Sequence, residues 1–178
     1  MASEIKAILQ IDNGIVAFDG MTVKAGFGRH GVVTASAKKE GDGKTPLGRW
    51  PLRQIYYRAD RLTLPPLAPP PLALDCIAIT KGMGWCDDPD HPRYNQLVSL
   101  PFDASHEVLW RDDHAYDVVI PLGYNDDPPI AGRGSAIFFH LLHEGRDVTE
   151  GCVAIALDAM MAILPRLTKE TTMVITRD

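Results

Sequence analysis

The sequence is short of the features that mark several large classes of protein. Its 3 cysteines are too few and odd in number for a disulfide framework, so at least one thiol stays free. Its 18 basic and 23 acidic residues give a net charge of −5, without the basic excess of a nucleic-acid or membrane-surface binder. No apolar run reaches the ~18 residues of a transmembrane helix. Residues 1–12 lack the basic and apolar regions of a secretory signal.

Length and composition fit one globular domain over residues 1–178. The apolar fraction of 46% and the charged fraction of 23% exclude a disordered, fibrous or collagen-like chain. A chain of this size covers ~70% of its unfolded surface on folding, which is enough for a core without disulfides. We find no internal repeat and no domain linker.

Short alternating segments predict a mainly β fold. Residues 5–11 alternate with a period close to two, and Asn13-Gly14 and Asp19-Gly20 are two-residue hairpin turns. They predict an antiparallel meander over 5–11, 15–18 and 21–24. Further strands are expected at 50–57, 77–80, 107–110, 116–121, 135–142 and 171–176, and an apolar strand or helix entry is expected after Cys152. Loops are expected at 38–48, 65–71, 84–95 and 123–134, with a glycine-permitted bend at 26–31.

One helix is predicted, late in the chain. Its apolar positions recur at helical spacing: Leu157, Met160, Met161, Leu164 and Leu167. Pro165 is expected to end or kink this helix. The sum is a single domain of mixed β-sheets with one helix beside the segment 149–153.

Several local patterns are given structural rather than binding roles. The glycines of 26–31 lack the Gly-Lys-Ser/Thr ending of a phosphate loop. His140 and His143 point to opposite faces of a strand, so they make a poor metal pair. The acidic segment 86–91 suits a solvated or substrate-gating loop better than a cation site, and Cys76 and Cys86 suit the core. We therefore expect no metal.

The segment 135–155 carries the chemistry. His140 ends an apolar strand, and Cys152 follows in a tight Thr-Glu-Gly-Cys turn. A thiol acts as a nucleophile in its thiolate form, and a nearby imidazole can take its proton. Gly151 allows close approach to a substrate carbonyl, and the amides of 151–153 suit an oxyanion hole. On these residues alone, a buried cysteine beside an unrelated histidine remains an alternative.

Two motifs resemble the signature of the YkuD-type L,D-transpeptidases. One is Thr149-x-Gly151-Cys152-Val153 with His140 upstream on an apolar strand. The other lies far upstream at 42–52, DGKTPLGRWPL, and resembles the Thr-Pro-x-Gly element of the family. Two separated motifs in the family's order are more specific than either alone. The resemblance covers roughly residues 5–176 and implies a single YkuD-like catalytic domain.

The resemblance implies a peptidoglycan crosslinking enzyme that needs no cofactor. Its partners would be two peptidoglycan stem peptides, a donor and an acceptor. The Cys152 thiolate would attack an L-residue that precedes a D-residue, with His140 as the base, and form a thioester that an amine of the acceptor resolves. The second nitrogen of His140 is expected to bond to a backbone carbonyl. The residues expected to contact substrate are Thr149, Val153, Trp85, Tyr94, Arg111, Tyr116 and Arg133, with core packing of the aromatics and solvation of the arginines as the alternatives.

The sequence departs from the family at two positions. Leu141 stands where the family has Gly after the histidine, and Ala154 stands where it has Arg two residues after the cysteine. The segment 150–154, EGCVA, resembles a branch from proteobacteria associated with 1,3 links, which join first-position L-alanine to third-position diaminopimelate. We expect 1,3 links, with 3,3 links as the alternative.

Other readings of the chain stay open. Water as the acceptor would give an amidase or carboxypeptidase, and the aromatics alone would suit a non-catalytic wall-binding β module. The implied substrate predicts that the protein acts in the periplasm or cell envelope, with the cytoplasm as the alternative. Export would use a signal trimmed from this sequence or an unusual route.

Overall fold

Short β-strands make up most of the regular structure. The computed structural model describes residues 3–9, 14–142 and 145–178. Within these residues the strands are β1 (Glu4–Leu9), β2 (Gly14–Phe18), β3 (Met21–Gly28), β4 (Val32–Thr34), β5 (Thr45–Pro51), β6 (Ile55–Tyr57), β7 (Cys76–Ala78), β8 (Met83–Cys86), β9 (Leu97–Ser99), β10 (His106–Val108), β11 (Val118–Pro121), β12 (Phe138–Leu141), β13 (Val148–Thr149), β14 (Val153–Ile155) and β15 (Thr172–Arg177). The helices are α1 (Leu157–Ile163) and two 3₁₀ turns, Ala35–Ala37 and Leu164–Arg166.

Within the described residues these strands form two sheets, one mixed and one antiparallel. The larger has the order β4-β5-β15-β1-β2-β3-β14-β12-β11-β6-β7, with β13 paired to β3. Its β1–β2–β3 meander is antiparallel, whereas the pairs β1–β15 and β12–β14 are parallel. A smaller antiparallel sheet has the order β10-β8-β9. The expected mainly β fold with mixed sheets and one short helix is confirmed.

Two apolar clusters cover the two faces of the central strands. One contains Phe139 and Val153, and α1 packs into it through Met160 and Ile163, which are fully buried. The other contains Phe138, Tyr116 and Cys152. Successive residues of a strand point to opposite faces, so β12 contributes to both clusters. The candidate nucleophile therefore lies on the face opposite α1.

The predicted elements are mostly found, with five corrections. The strand expected at 135–142 spans only Phe138–Leu141. The segment 45–48, expected in a loop, belongs to β5, and the strand expected at 50–57 is two strands, β5 and β6. The break follows Pro51, which has no N–H for a sheet hydrogen bond. The acidic loop at 84–95 begins with three residues of β8. The predicted bend at 26–31 begins as strand, because Gly26–Gly28 continue β3.

The meander and the helix end close to the predicted positions. The turn at Asp19-Gly20 is present, while Asn13 lies outside the described residues. Helix α1 stops at Ile163 and a 3₁₀ turn containing Pro165 follows, as the proline predicts. Of the apolar stripe, Leu164 and Leu167 are buried, but Leu157 is 41% exposed. The short strands β4, β9 and β13 were not predicted.

Candidate active site

The parallel pair β12–β14 brings His140 and Cys152 to one cavity. Phe139 pairs with Val153, and His140 pairs with Ala154. Because side chains alternate along a strand, His140 and Ala154 share a face, and Cys152 joins them one residue before β14. This face lines a cavity of about 520 Å³. Tyr116, Arg111, Glu107 and Thr149 also line it.

The Cys152 thiol is held between two backbone groups. Its Sγ donates to the Ala136 carbonyl at 3.2 Å and accepts from the Phe138 N–H at 3.3 Å. Burial raises the pKa of the thiol to about 12, and the negative charge of Glu107 adds to the effect. The Phe138 N–H and the charge of Lys38 act in the opposite direction. The thiol at rest is therefore neutral and ordered.

His140 is neutral and held in one tautomer. Its Nδ1 lies 2.8 Å from the carbonyl oxygen of Leu141, the kind of orienting partner expected from the sequence. A carbonyl can only accept, so Nδ1 carries the proton and Nε2 is the basic nitrogen. Burial lowers the pKa of the imidazole to about 4. The ring also packs edge-to-face on Tyr116, with 5.3 Å between ring centroids. His140 can thus accept a proton at neutral pH.

The turn at 149–152 is built from a threonine and a glycine. The Thr149 hydroxyl donates to the Cys152 carbonyl at 2.7 Å and accepts from the Gly151 N–H at 3.1 Å. Gly151 has φ +140°, and a Cβ there would lie 2.9 Å from the Lys44 carbonyl oxygen. Glycine is therefore required by both conformation and space. The Gly151 N–H, expected in an oxyanion hole, is already used by Thr149.

The two sequence motifs meet at this turn. Thr45, from the upstream motif, is fully buried and donates its hydroxyl to the Cys152 carbonyl at 3.4 Å. The same hydroxyl accepts the Gly28 N–H at 2.8 Å. The Cys152 carbonyl thus has two hydroxyl donors from distant parts of the chain. The sequence analysis identified both motifs but not this contact between them. The only signal that could have suggested it is that the two motifs occur together.

Carboxylates form part of the cavity wall. Tyr116 donates its hydroxyl to Glu107 Oε2 at 2.5 Å. Burial raises the pKa of Glu107, and the charges of Asp87 and Glu40 act in the same direction. Burial also raises the pKa of Tyr116 well above its ordinary value. None of these carboxylates was singled out as a binding residue from the sequence. A positively charged group in the cavity would relieve their mutual repulsion.

Of the residues predicted to contact substrate, Arg111, Tyr116 and Thr149 line the cavity, but none is a free side chain. The guanidinium of Arg111 makes two bonds to Asp113, from Nε at 2.9 Å and from Nη2 at 2.5 Å. It also lies 5.0 Å from the centre of the Tyr116 ring. A substrate carboxylate would therefore share Arg111 with Asp113.

The other four expected contact residues do not line this cavity. Val153 is fully buried in the apolar cluster under α1, because strand alternation turns it away from Cys152. Tyr94 is buried and donates its hydroxyl to Glu40. Trp85 lines a separate cavity of about 360 Å³. Arg133 donates Nη1 to the Ser36 carbonyl at 2.9 Å. Their expected contacts with substrate gain no support from this geometry.

Metal and membrane features are absent from the described part of the chain. No three His, Cys, Asp or Glu side chains there are grouped so that they could hold a metal ion. His143, weighed above as a partner of His140, lies outside the described residues. Within residues 3–9, 14–142 and 145–178, no helix has the length and apolarity needed to cross a membrane.

Comparison with known proteins identifies a family and solved structures similar to this chain. The profile of the YkuD family, described as the L,D-transpeptidase catalytic domain, matches residues 8–175. The crystal structure of L,D-transpeptidase 1 from Mycobacterium tuberculosis is similar at 11% identity, with a TM-score of 0.39. The alignment covers 98% of this chain and 62% of that protein. No curated protein matches the sequence significantly. The family match spans almost the whole sequence, and the chain belongs to the YkuD family of L,D-transpeptidase catalytic domains.

Proposed function

We propose that the protein is a peptidoglycan L,D-transpeptidase with Cys152 as the nucleophile and His140 as the general base. The observation that carries the proposal is their placement on one cavity wall by β12 and β14, with the histidine tautomer fixed. A neutral thiol and a neutral imidazole are the correct starting forms for proton transfer during attack. The family match supports the same reaction.

The reaction proceeds in two halves. The thiol proton passes to His140 Nε2 as Sγ bonds to the carbonyl carbon of an L-residue in the donor stem. The bond from that carbon to the amide nitrogen of the following D-residue breaks, and His140 returns the proton to the leaving amine. An amine of the acceptor stem then attacks the thioester and gives a proton to His140. The new amide forms, and Cys152 takes the proton back as it leaves.

The charges of the cavity suit stem peptides, which carry both amines and carboxylates. Its charged side chains include Glu40, Asp87, Glu107, Arg29, Arg111 and Arg146. An acceptor ammonium suits the carboxylates near Cys152, because nearby opposite charges favour its charged form on binding. A substrate carboxylate suits Arg111, since a guanidinium can pair with two oxygens. Thr149 and Tyr116 complete the proposed contact set.

The proposed register is 1,3 transfer from the first-position L-alanine. Ala154 pairs with His140 across the strands and lines the cavity, where the family has an arginine. A methyl group there leaves space beside the base and removes a cation that would hold the stem. Cleavage after L-alanine brings the sugar chain within one residue of the sulfur. The sugar needs space there, and the small side chain of Ala154 leaves that space in the cavity wall.

The test is product analysis with purified protein and isolated sacculi. We expect wild type to form crosslinked muropeptides, Cys152→Ala to form none, and His140→Gln to lose at least roughly 10²-fold in rate, the range of general-base catalysis. Cys76, which was expected in the core, is exposed instead, so Cys76→Ala is the matched control and should retain full activity. Products unchanged by Cys152→Ala would reject the proposed enzyme.

Mass spectrometry of the dimers decides the register. Links between L-alanine and diaminopimelate are expected. Dimers joined only through two diaminopimelate residues would reject 1,3 transfer and leave the transpeptidase intact. Released stem peptides without dimers, even with added amine acceptor, would indicate a hydrolase.

We further propose that the protein works in the cell envelope, where crosslinked stems occur. Fractionation of cells should recover it in the periplasmic or wall fraction. Recovery only from the cytoplasm would point instead to a soluble precursor as its substrate.

A further inference from the structure

The segment 134–136 holds the sulfur although it belongs to no strand. The Ala136 carbonyl accepts the Cys152 thiol at 3.2 Å. Gly134 has φ +102° and Ala136 has φ +51°, a left-handed conformation that a residue with a side chain seldom adopts. Such a conformation persists only where surrounding contacts impose it. The direction of the Ala136 carbonyl therefore depends on what holds this segment.

Three side chains from other parts of the chain hold it, one at each residue. The Gly134 N–H donates to the Tyr94 hydroxyl at 3.0 Å. The Ser135 hydroxyl donates to Glu40 Oε2 at 2.7 Å. The Ala136 N–H donates to Asn95 Oδ1 at 3.0 Å. Of the three, Asn95 bonds to the residue whose carbonyl contacts the thiol.

Asn95 is buried, and its amide group is fully engaged. Its side-chain nitrogen donates to the carbonyls of Tyr124 at 3.2 Å and Asn125 at 2.7 Å. Its oxygen also accepts the Trp85 indole N–H at 2.9 Å. Asn95 itself has φ +56°, which asparagine tolerates better than most residues. One side chain thus ties the backbone of Ala136 to the carbonyls of 124–125 and to the indole of Trp85.

We propose that Asn95 is a positioning residue for the nucleophile. By fixing the backbone of Ala136, it keeps the Cys152 thiol protonated and holds its sulfur in the direction of attack. The proposal rests on the proposed role of Cys152. The Ala136 carbonyl stabilises the protonated sulfur, and the Phe138 N–H stays on the sulfur after His140 removes the proton. Without Asn95 Oδ1, the buried Ala136 N–H has no acceptor, so nothing holds Ala136 at its left-handed φ of +51°, and the direction of its carbonyl changes with that angle.

Two opposite effects follow from loss of this anchor. The protonated thiol loses its acceptor, so the thiolate becomes easier to form at a given pH. At the same time the sulfur loses its direction, and a displacement of about 1 Å can reduce turnover roughly 10²-fold. The charged and titratable groups that face Cys152 are unchanged by the substitution: His140, Glu107, Lys38, Glu150 and Tyr116. A positioning role for Asn95 therefore predicts that its loss makes Cys152 faster to alkylate but slower in turnover.

The test compares Asn95→Ala with Asn95→Asp and a stability control. Aspartate keeps an acceptor for the Ala136 N–H and loses both donors. Thr171→Val removes a fully buried hydroxyl that bonds to Ser3 and the Thr168 N–H, far from the cavity, and serves as the control for general destabilisation. Turnover is measured with a disaccharide-tetrapeptide as donor and acceptor. Alkylation by iodoacetamide between pH 6 and 10 is followed separately for each cysteine by mass spectrometry.

We expect Asn95→Ala to lower kcat roughly 10- to 100-fold with KM within about twofold. Its Cys152 should be alkylated about tenfold faster than in wild type at each pH from 6 to 10, which corresponds to a thiol pKa lower by about one unit, while buried Cys86 stays as protected as in wild type. Asn95→Asp should keep kcat within about fivefold of wild type.

The proposal is overturned if Asn95→Ala changes kcat no more than Thr171→Val does, or if Asn95→Asp is as impaired as Asn95→Ala. It is also overturned if Cys86 and Cys152 become reactive together, because that indicates local opening. A wild type without any product would instead reject the proposed function, and the alkylation profiles would still test the anchor.

Discussion

Burial acts on the two central side chains in opposite directions and leaves both neutral. It raises the pKa of Cys152 to about 12 and lowers the pKa of His140 to about 4. Between these values the protein holds no thiolate–imidazolium pair at rest. The proton must therefore move when a substrate carbonyl arrives to receive the sulfur's electrons. Such a thiol is protected from chance alkylation and oxidation, since the thiolate is the reactive form.

At the residue scale, the Thr149 hydroxyl should decide the shape of the turn. Thr149→Val leaves the Cys152 carbonyl with the long bond from Thr45 and leaves the Gly151 N–H without its acceptor. We expect the free energy of unfolding to fall by about 2 kcal/mol and the crosslinking rate by roughly tenfold. Thr149→Ser keeps the hydroxyl and should restore most of both. Urea unfolding and muropeptide formation measure these effects, and a serine variant as impaired as valine would contradict this role.

At the element scale, the site depends on a turn that enters β14 beside the backbone of the upstream motif. Gly151 lies against the Lys44 carbonyl, and Gly28 lies against Gly43 just as closely. Three backbone segments thus approach without side chains between them. Because glycine permits each of these approaches, the two motifs are held together by close backbone packing as well as by hydrogen bonds.

Gly151→Ala should therefore destabilise far more than a glycine substitution in an open loop. A Cβ at Gly151 combines strain at φ +140° with a 2.9 Å contact to the Lys44 carbonyl oxygen. Gly132 also has positive φ, at +73°, but nothing lies within 4 Å of its would-be Cβ. We expect a loss of about 3 kcal/mol for Gly151→Ala and about 1 kcal/mol for Gly132→Ala in urea unfolding. Equal losses would mean that the turn adjusts to the methyl group.

The elements that could be predicted were those with a local signal. The meander over β1–β3 has alternation and a short turn, and α1 has an apolar stripe and a terminating proline. Strand β5 was placed in a loop because KTPLG looks turn-rich, yet its strand partners lie far away at 32–34 and 172–175. Strands such as β9 and β13, with two or three residues, are too short for periodicity to detect.

At the scale of the whole molecule, His140 should make the fold less stable in acid. Its pKa is about 4 when folded against an ordinary value of 6.5, so the unfolded chain binds a proton more readily. The stabilising contribution of the neutral ring is complete above pH 6.5 and is lost as the pH falls towards 4. It amounts to about 3 kcal/mol.

His140→Gln removes the contribution of the imidazole, so the free energy of unfolding of the variant should depend less on pH. Relative to the variant, wild type should lose about 2 to 3 kcal/mol between pH 7.5 and pH 4.5 in urea unfolding. Glu107 acts in the other direction in both proteins, because its raised pKa stabilises the fold at low pH, so the difference isolates His140. Parallel profiles would show that the folded protein accommodates a charged imidazole.

Much of the site was predictable only because two motifs were read together. Cys152, His140 and Gly151 carry local signals, and Arg111, Tyr116 and Thr149 do reach the cavity. The roles of Thr45 and Asn95 depend on hydrogen bonds across 107 and 41 residues of sequence, and no local pattern encodes such contacts. Trp85 and Tyr94 are predicted to contact substrate because aromatic rings can stack on sugars, and in the structure both also bond to neighbouring protein groups.

The central place of β15 has a consequence for how the molecule is made. Strand β5, which begins with Thr45, joins the large sheet through β15, and β15 lies between it and β1. The ribosome synthesises β15 after every other strand described. Until then, β1 and β5 lack the strand that lies between them in the sheet. A partly synthesised chain can form the meander and the bond from Gly28 to Thr45, but it cannot pair residues 48–51 of β5 with the large sheet. The strand that carries Thr45 is therefore fixed in that sheet at the end of synthesis rather than during it.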